Sequence, residues 1–201
     1  MKTNNDRKLY KLFRKNKGIL RFSDVVKAGF DPIYLKRLSS KGQIEKIGHG
    51  LYRLVDSPVL SNPDLITATL QSPKSVICLI SALSFHDATD QVPHQIHLAI
   101  PMGSRANKIS YPPVRYFYYA SRAWGEGIES HKIDGHDVPI YSLAKTIADC
   151  FKFRNKIGFD VAKQALKIAV TEKQIRANKI MAHAKICRVD KVIRPYLEVL
   201  V

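Results

Sequence analysis

Residues 23–53 restrict the fold more than any other stretch, because they carry the signals of two short helices in quick succession. Ser23 is a good N-cap for the first helix, and Gly29 ends it in the left-handed conformation that glycine adopts freely. Asp31 caps the second helix, and Pro32 takes its first position without the loss of a hydrogen bond. The pattern predicts a helix-turn-helix.

A tight hairpin follows the second helix, which Gly42 ends. Residues 44–47 and 51–54 are rich in strand-forming side chains, and His49 stands between two glycines that permit a sharp reversal. Two helices followed by a hairpin are the element order of a winged helix, whose second helix enters a DNA groove. The stretch therefore predicts DNA binding.

The outward face of the second helix is the predicted reading surface. Leu35 and Leu38 share one side of a helix that turns by about 100° per residue, and they define its buried face. The side chains directed the other way are Ile33, Lys36, Arg37 and Ser40, with Tyr34 and Lys41 at the flank. We expect Arg37 to meet a guanine edge and Ile33 a thymine methyl group. Taken alone, such a helix is as often an ordinary solvated one, and the hairpin favours DNA.

An amphipathic helix over residues 7–16 precedes this motif, with Leu9, Leu12 and Phe13 on its apolar face. Its remaining surface is basic, so its cations are expected near phosphates when the next helices are on DNA. The predicted phosphate contacts are Lys8, Lys11, Lys46 and Arg53, and His49 is expected at the wing tip.

The charge supports a nucleic-acid partner. The formal net charge is +16, and residues 1–60 hold 14 Lys and Arg against 5 Asp and Glu. A basic chain without an apolar membrane span typically binds a polyanion, which is either nucleic acid or an anionic membrane surface. The N-terminus has no secretory pattern, and the three cysteines have neither disulfide nor zinc spacing. We expect a cytoplasmic protein with structural thiols, no membrane segment, no bound metal and no cofactor.

A loop-like linker over residues 56–63 separates two predicted domains, residues 1–56 and 63–201. In the second domain, strands are predicted over residues 95–100, 114–119, 127–133 and 136–141, and helices over residues 62–71, 76–87, 142–153, 159–172, 177–187 and 193–200. The predicted fold class is α+β, a winged helix followed by an α/β domain whose mixed or antiparallel sheet packs against C-terminal helices.

The chain resembles the AbiEi antitoxin family of bacterial type IV toxin-antitoxin systems over nearly its full length. The segments that carry the resemblance are residues 23–30, 48–53, 81–86, 90–93, 141–149 and 194–198. The resemblance implies a repressor that binds repeats upstream of its own operon through the N-terminal domain. It also implies a C-terminal domain that counters a nucleotidyltransferase-like toxin without a stable complex. The family often has arginine where His49 stands, which weakens the case for a permanent cation at the wing tip.

Two other functional classes stay open on the sequence alone. Within twelve residues lie His86, Asp87, Asp90, His94 and His97. Imidazole and carboxylate ligands suit a zinc or manganese site, so a metal-dependent nuclease or nucleotidyl-transferring enzyme is one alternative, although the spacing is not diagnostic. Lys145 and Asp149 are either catalytic or an intrahelical ion pair on a solvated or half-buried face, and we favour the ion pair. The other alternative is a protein-interaction module whose basic charge is incidental.

An aromatic run in the predicted strand 114–119 indicates a second nucleic-acid contact. Tyr116 and Tyr118 share one face of the strand while Phe117 and Tyr119 share the other, so at least one pair is expected in the core. The outer pair would form a platform on which RNA bases stack. The sequence as a whole is interpreted as a DNA-binding autorepressor and antitoxin without catalytic activity.

Overall fold

The computed structural model describes residues 4–200, which divide into two units. The first unit holds residues 4–73, Asn107–Pro112 and Lys132–Asp137, and the second holds Lys74–Ala106, Pro113–His131 and residues 138–200. The first unit therefore continues past the linker at residues 56–63, and the separation into domains 1–56 and 63–201 stays a prediction.

The first unit has the element order of a winged helix. Its elements are α1 (Asn4–Lys15), β1 (Ile19–Arg21), α2 (Phe22–Lys27), α3 (Ile33–Ser40), β2 (Ile44–Gly48), β3 (Leu51–Leu54) and α4 (Pro63–Gln71). The three strands form an antiparallel sheet in the order β1-β3-β2. Leu9, Phe13, Leu35 and Leu38 are buried together against this sheet, which confirms the predicted apolar faces of α1 and α3.

The helix ends agree with the sequence in part. The Asp31 carboxylate accepts a hydrogen bond of 2.8 Å from the backbone N–H of Ile33, as predicted for the start of α3. Ser23 was expected to cap α2, and this is wrong because α2 already begins at Phe22 and its N-cap is Arg21. There the Asp24 carboxylate accepts a hydrogen bond of 3.3 Å from the backbone N–H of Arg21, so a side chain of the first turn pairs with a backbone N–H at the start of the helix.

The second unit is a mixed sheet covered by helices. Its strands are β4 (Val76–Ile77), β5 (Ile96–Pro101), β6 (Val114–Tyr119), β7 (Ile128–Ile133) and β8 (His136–Tyr141), and its helices are α5 (Leu79–Phe85), α6 (Ser121–Gly125), α7 (Leu143–Lys152), α8 (Arg154–Ile157), α9 (Phe159–Thr171), α10 (Ala177–Cys187) and α11 (Asp190–Glu198). The end of the β7-β8 hairpin, Lys132–Asp137, is counted with the first unit. The strand order is β6-β5-β4-β8-β7, with β5 parallel to β6, β4 parallel to β8 and β4 antiparallel to β5. The fold class is α+β, as predicted.

The main error in the predicted elements lies at residues 76–87, which were expected to form one helix. Val76 and Ile77 instead form the central strand β4, and the helix α5 begins only at Leu79. A run of two buried β-branched residues is too short for periodicity to distinguish a strand from a buried helix. The pairing of these residues with β5 and β8 makes them a strand. The short helices α6 and α8 were not predicted.

A buried ion pair lies inside the second unit. Lys145 and Asp149 are both 0% exposed, and the lysine Nζ is 2.6 Å from each carboxylate oxygen. The pair was expected on a solvated or half-buried face of its helix, and this is wrong because every residue of α7 from Leu143 to Phe151 is buried. Helices α5, α8, α9, α10 and α11 all pack against α7.

Among the helices formed by the described residues, none is both long and apolar enough to span a bilayer.

His97 predicts a pH dependence of stability. Its side chain is buried on β5, and burial, with a smaller contribution from the Arg115 charge on β6, lowers its pKa from 6.5 to about 4. The unfolded chain therefore binds more protons than the native state between these values, and stability is lost as the pH falls below about 6.5. We expect the His97→Phe variant to lose less stability than the native chain between pH 7 and 5, by about 2 kcal/mol.

Urea unfolding at several pH values measures this difference. Burial also lowers the pKa values of His136 and His183, so both proteins lose stability on acidification and only the gap between their curves reports on His97. Parallel curves for the two proteins would contradict the prediction.

Candidate nucleic-acid interface

The outer face of α3 is open to solvent. Ile33 is 64% exposed and Lys36, Ser40 and Lys41 are also exposed, whereas Leu35 is buried beneath them. Pro32 has helical backbone angles at the start of this helix, so the row of side chains begins at the first turn. An apolar group, a cation and a hydroxyl on one face are the kinds of side chain that contact base edges in a major groove.

Arg37 does not lie on that face, and its predicted outward orientation is wrong. Its guanidinium pairs with the carboxylate of Asp6 on α1 and lies over the ring of Tyr34, 4.7 Å from the ring centroid. Asp6 is only 1% exposed, and Lys41 Nζ lies 3.9 Å from its other oxygen. Arg37 thus neutralises a buried charge between α1 and α3, and base contact by Arg37 stays an untested prediction.

A groove runs between α3 and the wing formed by β2 and β3. Its volume is about 440 Å³, and it is lined by Phe22, Pro32, Leu35, Lys36, Ser39, Ser40, Lys46 and Tyr52. Lys46 is exposed on the wing and Lys36 is exposed on the helix, so cations border the groove from both sides. Ser39 was missed from the sequence because its position in the helix is close to the direction of Leu35.

Of the predicted contacts on the wing, Lys46 and His49 are exposed, whereas Arg53 is already paired within the protein. His49 is exposed at the tip, at the turn where Gly50 has a φ of +62°. Arg53 was predicted to contact phosphate, but its side chain is only 19% exposed and pairs with Glu45 at 3.2 Å. The Arg53 guanidinium also donates to the carbonyl groups of Ser57 and Pro58, so it fastens the chain that leaves the wing.

The cations of α1 are available to solvent. Lys8 and Lys11 are exposed, and Leu9 between them is buried. Their place on the outer surface of the first unit agrees with a role at phosphates, which stays a prediction.

The histidine and aspartate cluster of the enzymatic alternative is not assembled. His86 Nε2 is 2.8 Å from the carbonyl oxygen of Tyr141, and Asp90 accepts a hydrogen bond from Gln164. His97 is buried beside the Phe117 ring, while His94 is exposed. Within residues 4–200, no three His, Cys, Asp or Glu side chains lie close enough together to hold a metal ion.

The aromatic strand β6 has one buried and one outer face. Phe117 and Tyr119 belong to the core, and Tyr118 is exposed on the opposite side, as the strand alternation predicts. Contact of this outer face with RNA stays a prediction.

Comparison with known families concerns the segment that forms this interface. Residues 7–55 match the family described as transcriptional regulator, AbiEi antitoxin. The winged helix is therefore similar to that family. The matched residues run from α1 to the end of β3. The match confirms the resemblance over residues 7–55 and gives this segment the general role of a DNA-binding transcriptional regulator of the antitoxin class.

A solved structure supports the fold beyond the matched segment. The RV2827C protein from Mycobacterium tuberculosis is similar with a TM-score of 0.55 and 11% sequence identity, and the alignment covers 96% of this chain and 80% of that one. Identity this low shows a shared fold and nothing about activity. Among curated proteins, none matches the sequence.

Proposed function

We propose that the chain represses its own operon by binding DNA repeats upstream of it, with α3 in the major groove and the wing beside it. The observation that carries the proposal is the groove of about 440 Å³ that Lys36 on α3 and Lys46 on the wing line together. In this orientation, Lys36 and Ser40 read base edges and Ile33 contacts a thymine methyl group. Lys8, Lys11, Lys41 and Lys46 contact phosphates, and His49 lies at the wing tip.

The antitoxin part of the proposal concerns the second unit. It counters a nucleotidyltransferase-like toxin encoded beside this gene without forming a stable complex, which is what the family resemblance implies. Co-expression with the product of the neighbouring reading frame tests it. Growth is expected to recover while the two proteins do not co-purify, and a variant that no longer represses is expected to protect equally well.

The DNA orientation is tested by Lys36→Ala. Loss of a base contact is expected to cost about 1–3 kcal/mol of discrimination, so the ratio of operator to scrambled DNA affinity falls by a factor of about 5 to 150. Lys8→Ala is expected to weaken binding to operator and scrambled DNA by the same factor. It is also expected to lower the slope of log K against log salt by about one unit, because one phosphate contact is lost.

The measurement is a fluorescence anisotropy titration of each protein at several salt concentrations. Lys167→Ala is the control, since it removes an exposed lysine from α9 in the second unit and is expected to bind like the native chain. Native protein that shows no preference for its upstream region would overturn the repressor proposal. An unchanged ratio for Lys36→Ala would overturn the placement of α3 in the groove.

A further inference from the structure

Residues 107–112, which follow β5 along the chain, are part of the winged-helix unit. We call this segment the strap. The Asn107 side-chain amide donates to the carbonyl oxygen of Gln71 at 2.7 Å, and the Gln71 side-chain amide donates to the carbonyl oxygen of Tyr111 at 2.8 Å. The strap is therefore bonded at both ends to the last residue of α4.

Gln71 also holds the wing tip. Its side-chain oxygen accepts a hydrogen bond of 3.0 Å from the backbone N–H of His49. The approach is close, since a Cβ atom added to Gly48 would lie 2.7 Å from the Gln71 amide. The two ends of one side-chain amide thus connect the wing to the strap.

Wing and strap share a cavity of about 500 Å³, to which the wing contributes Lys46 and His49 and the strap contributes Ser110 and Tyr111. Lys46 also lines the groove beside α3, so the two concave surfaces meet at this lysine. Tyr111 is 58% exposed, and the nearby charge of Asp64 raises the pKa of its hydroxyl. Lys108 is exposed on the strap.

We propose that the strap is a second DNA-contacting element, in which Lys108 contacts a phosphate next to the wing and Gln71 positions the strap for that contact. The inference rests on the proposed function, because a wing beside an occupied major groove lies along the phosphate backbone. An element that Gln71 connects to the wing tip then lies within reach of the same phosphate backbone. A lysine there adds affinity without sequence information, since phosphate contacts fix register and do not read bases.

Lys108→Ala tests the contact. It is expected to weaken binding to operator and scrambled DNA by the same factor and to lower the slope of log K against log salt by about one unit. Lys167→Ala again serves as the matched control with an unchanged slope. A slope for Lys108→Ala equal to that of the native chain would overturn the inference.

Gln71→Glu tests the positioning role more selectively than alanine. A glutamate at this place still accepts from the His49 N–H but cannot donate to the Tyr111 carbonyl, so the wing stays bonded while the Tyr111 end of the strap is released. The bond from Asn107 to the backbone carbonyl of residue 71 remains. We expect the salt slope to fall as in Lys108→Ala, and the double variant Gln71→Glu with Lys108→Ala to show no additional fall. If the slope of log K against log salt in the double variant falls by about one more than in either single variant, Gln71 does not position Lys108.

The two proposals fail in different ways. Native protein without salt-dependent binding to its upstream region overturns both. If native protein binds, Lys36→Ala lowers the operator preference and Lys108→Ala keeps the native slope, then only the strap inference is overturned.

Discussion

Asp149→Ala is expected to destabilise the second unit by about 3–5 kcal/mol, because it leaves the ammonium group of Lys145 buried without its counter-ion. Both side chains are 0% exposed, and the ammonium also lies 4.2 Å from the centroid of the Tyr141 ring. Burial raises the pKa of Asp149, and the charge of Lys145 opposes that effect. A loss of this size is a large part of the roughly 5–15 kcal/mol that stabilises an ordinary domain.

The matched control replaces the whole pair. Lys145→Met with Asp149→Leu removes both charges together, and buried ion pairs exchanged for apolar residues of similar volume are often neutral or stabilising. We expect the double variant to recover most of the stability lost by Asp149→Ala, although the Cys187 thiol loses its acceptor on Asp149 at 3.2 Å. Urea unfolding followed by the fluorescence of Trp124, which lies in this unit, measures both variants. A single variant as stable as the native chain would contradict the prediction.

Arg37→Ala is expected to destabilise the winged-helix unit by about 1.5–3 kcal/mol, the usual range for a hydrogen bond to a charged group. The carboxylate of Asp6 stays buried when the guanidinium is removed, whereas the Arg37 side chain is 35% exposed and can be hydrated when Asp6 is changed. Asp6→Asn is therefore expected to cost less than Arg37→Ala. Hydrogen exchange of the backbone amides in β1, β2 and β3 reports on this unit separately.

The same variant tests whether Arg37 reads bases. At a temperature where Arg37→Ala remains folded, we expect the ratio of operator to scrambled DNA affinity to equal that of the native chain. Unchanged stability together with a collapsed ratio would contradict the structural role and restore the base contact that the sequence predicts. Lys36→Ala, with an exposed side chain on the same helix, is the control that is expected to change the ratio.

Most of the winged helix is predictable from local signals. Gly29 and Gly42 have positive φ angles of +80° and +63° just after α2 and α3, and Gly50 has a φ of +62° in the turn between β2 and β3, where the sequence indicates a reversal. The hairpin of β7 and β8 follows the same rule, since Asp134 and Gly135 both have positive φ angles at its turn. Such signals act over a few residues, and no distant partner is needed to interpret them.

The sequence by itself determined the order of the elements in the winged helix and the apolar faces that α1 and α3 bury. Leu35 and Leu38 lie on the buried face of α3 because helical periodicity places them on one side of the helix, and that geometry is the same in any fold. Helical periodicity does not determine which partner the polar end of a long side chain contacts. Arg37 reaches Asp6, 31 residues away, Gln71 reaches both His49 and Tyr111, and Lys145 with Asp149 is enclosed by other helices. Only the tertiary structure decided these side-chain contacts. The free energy of a buried charge or amide depends on the partners that bind it and on how much water surrounds it.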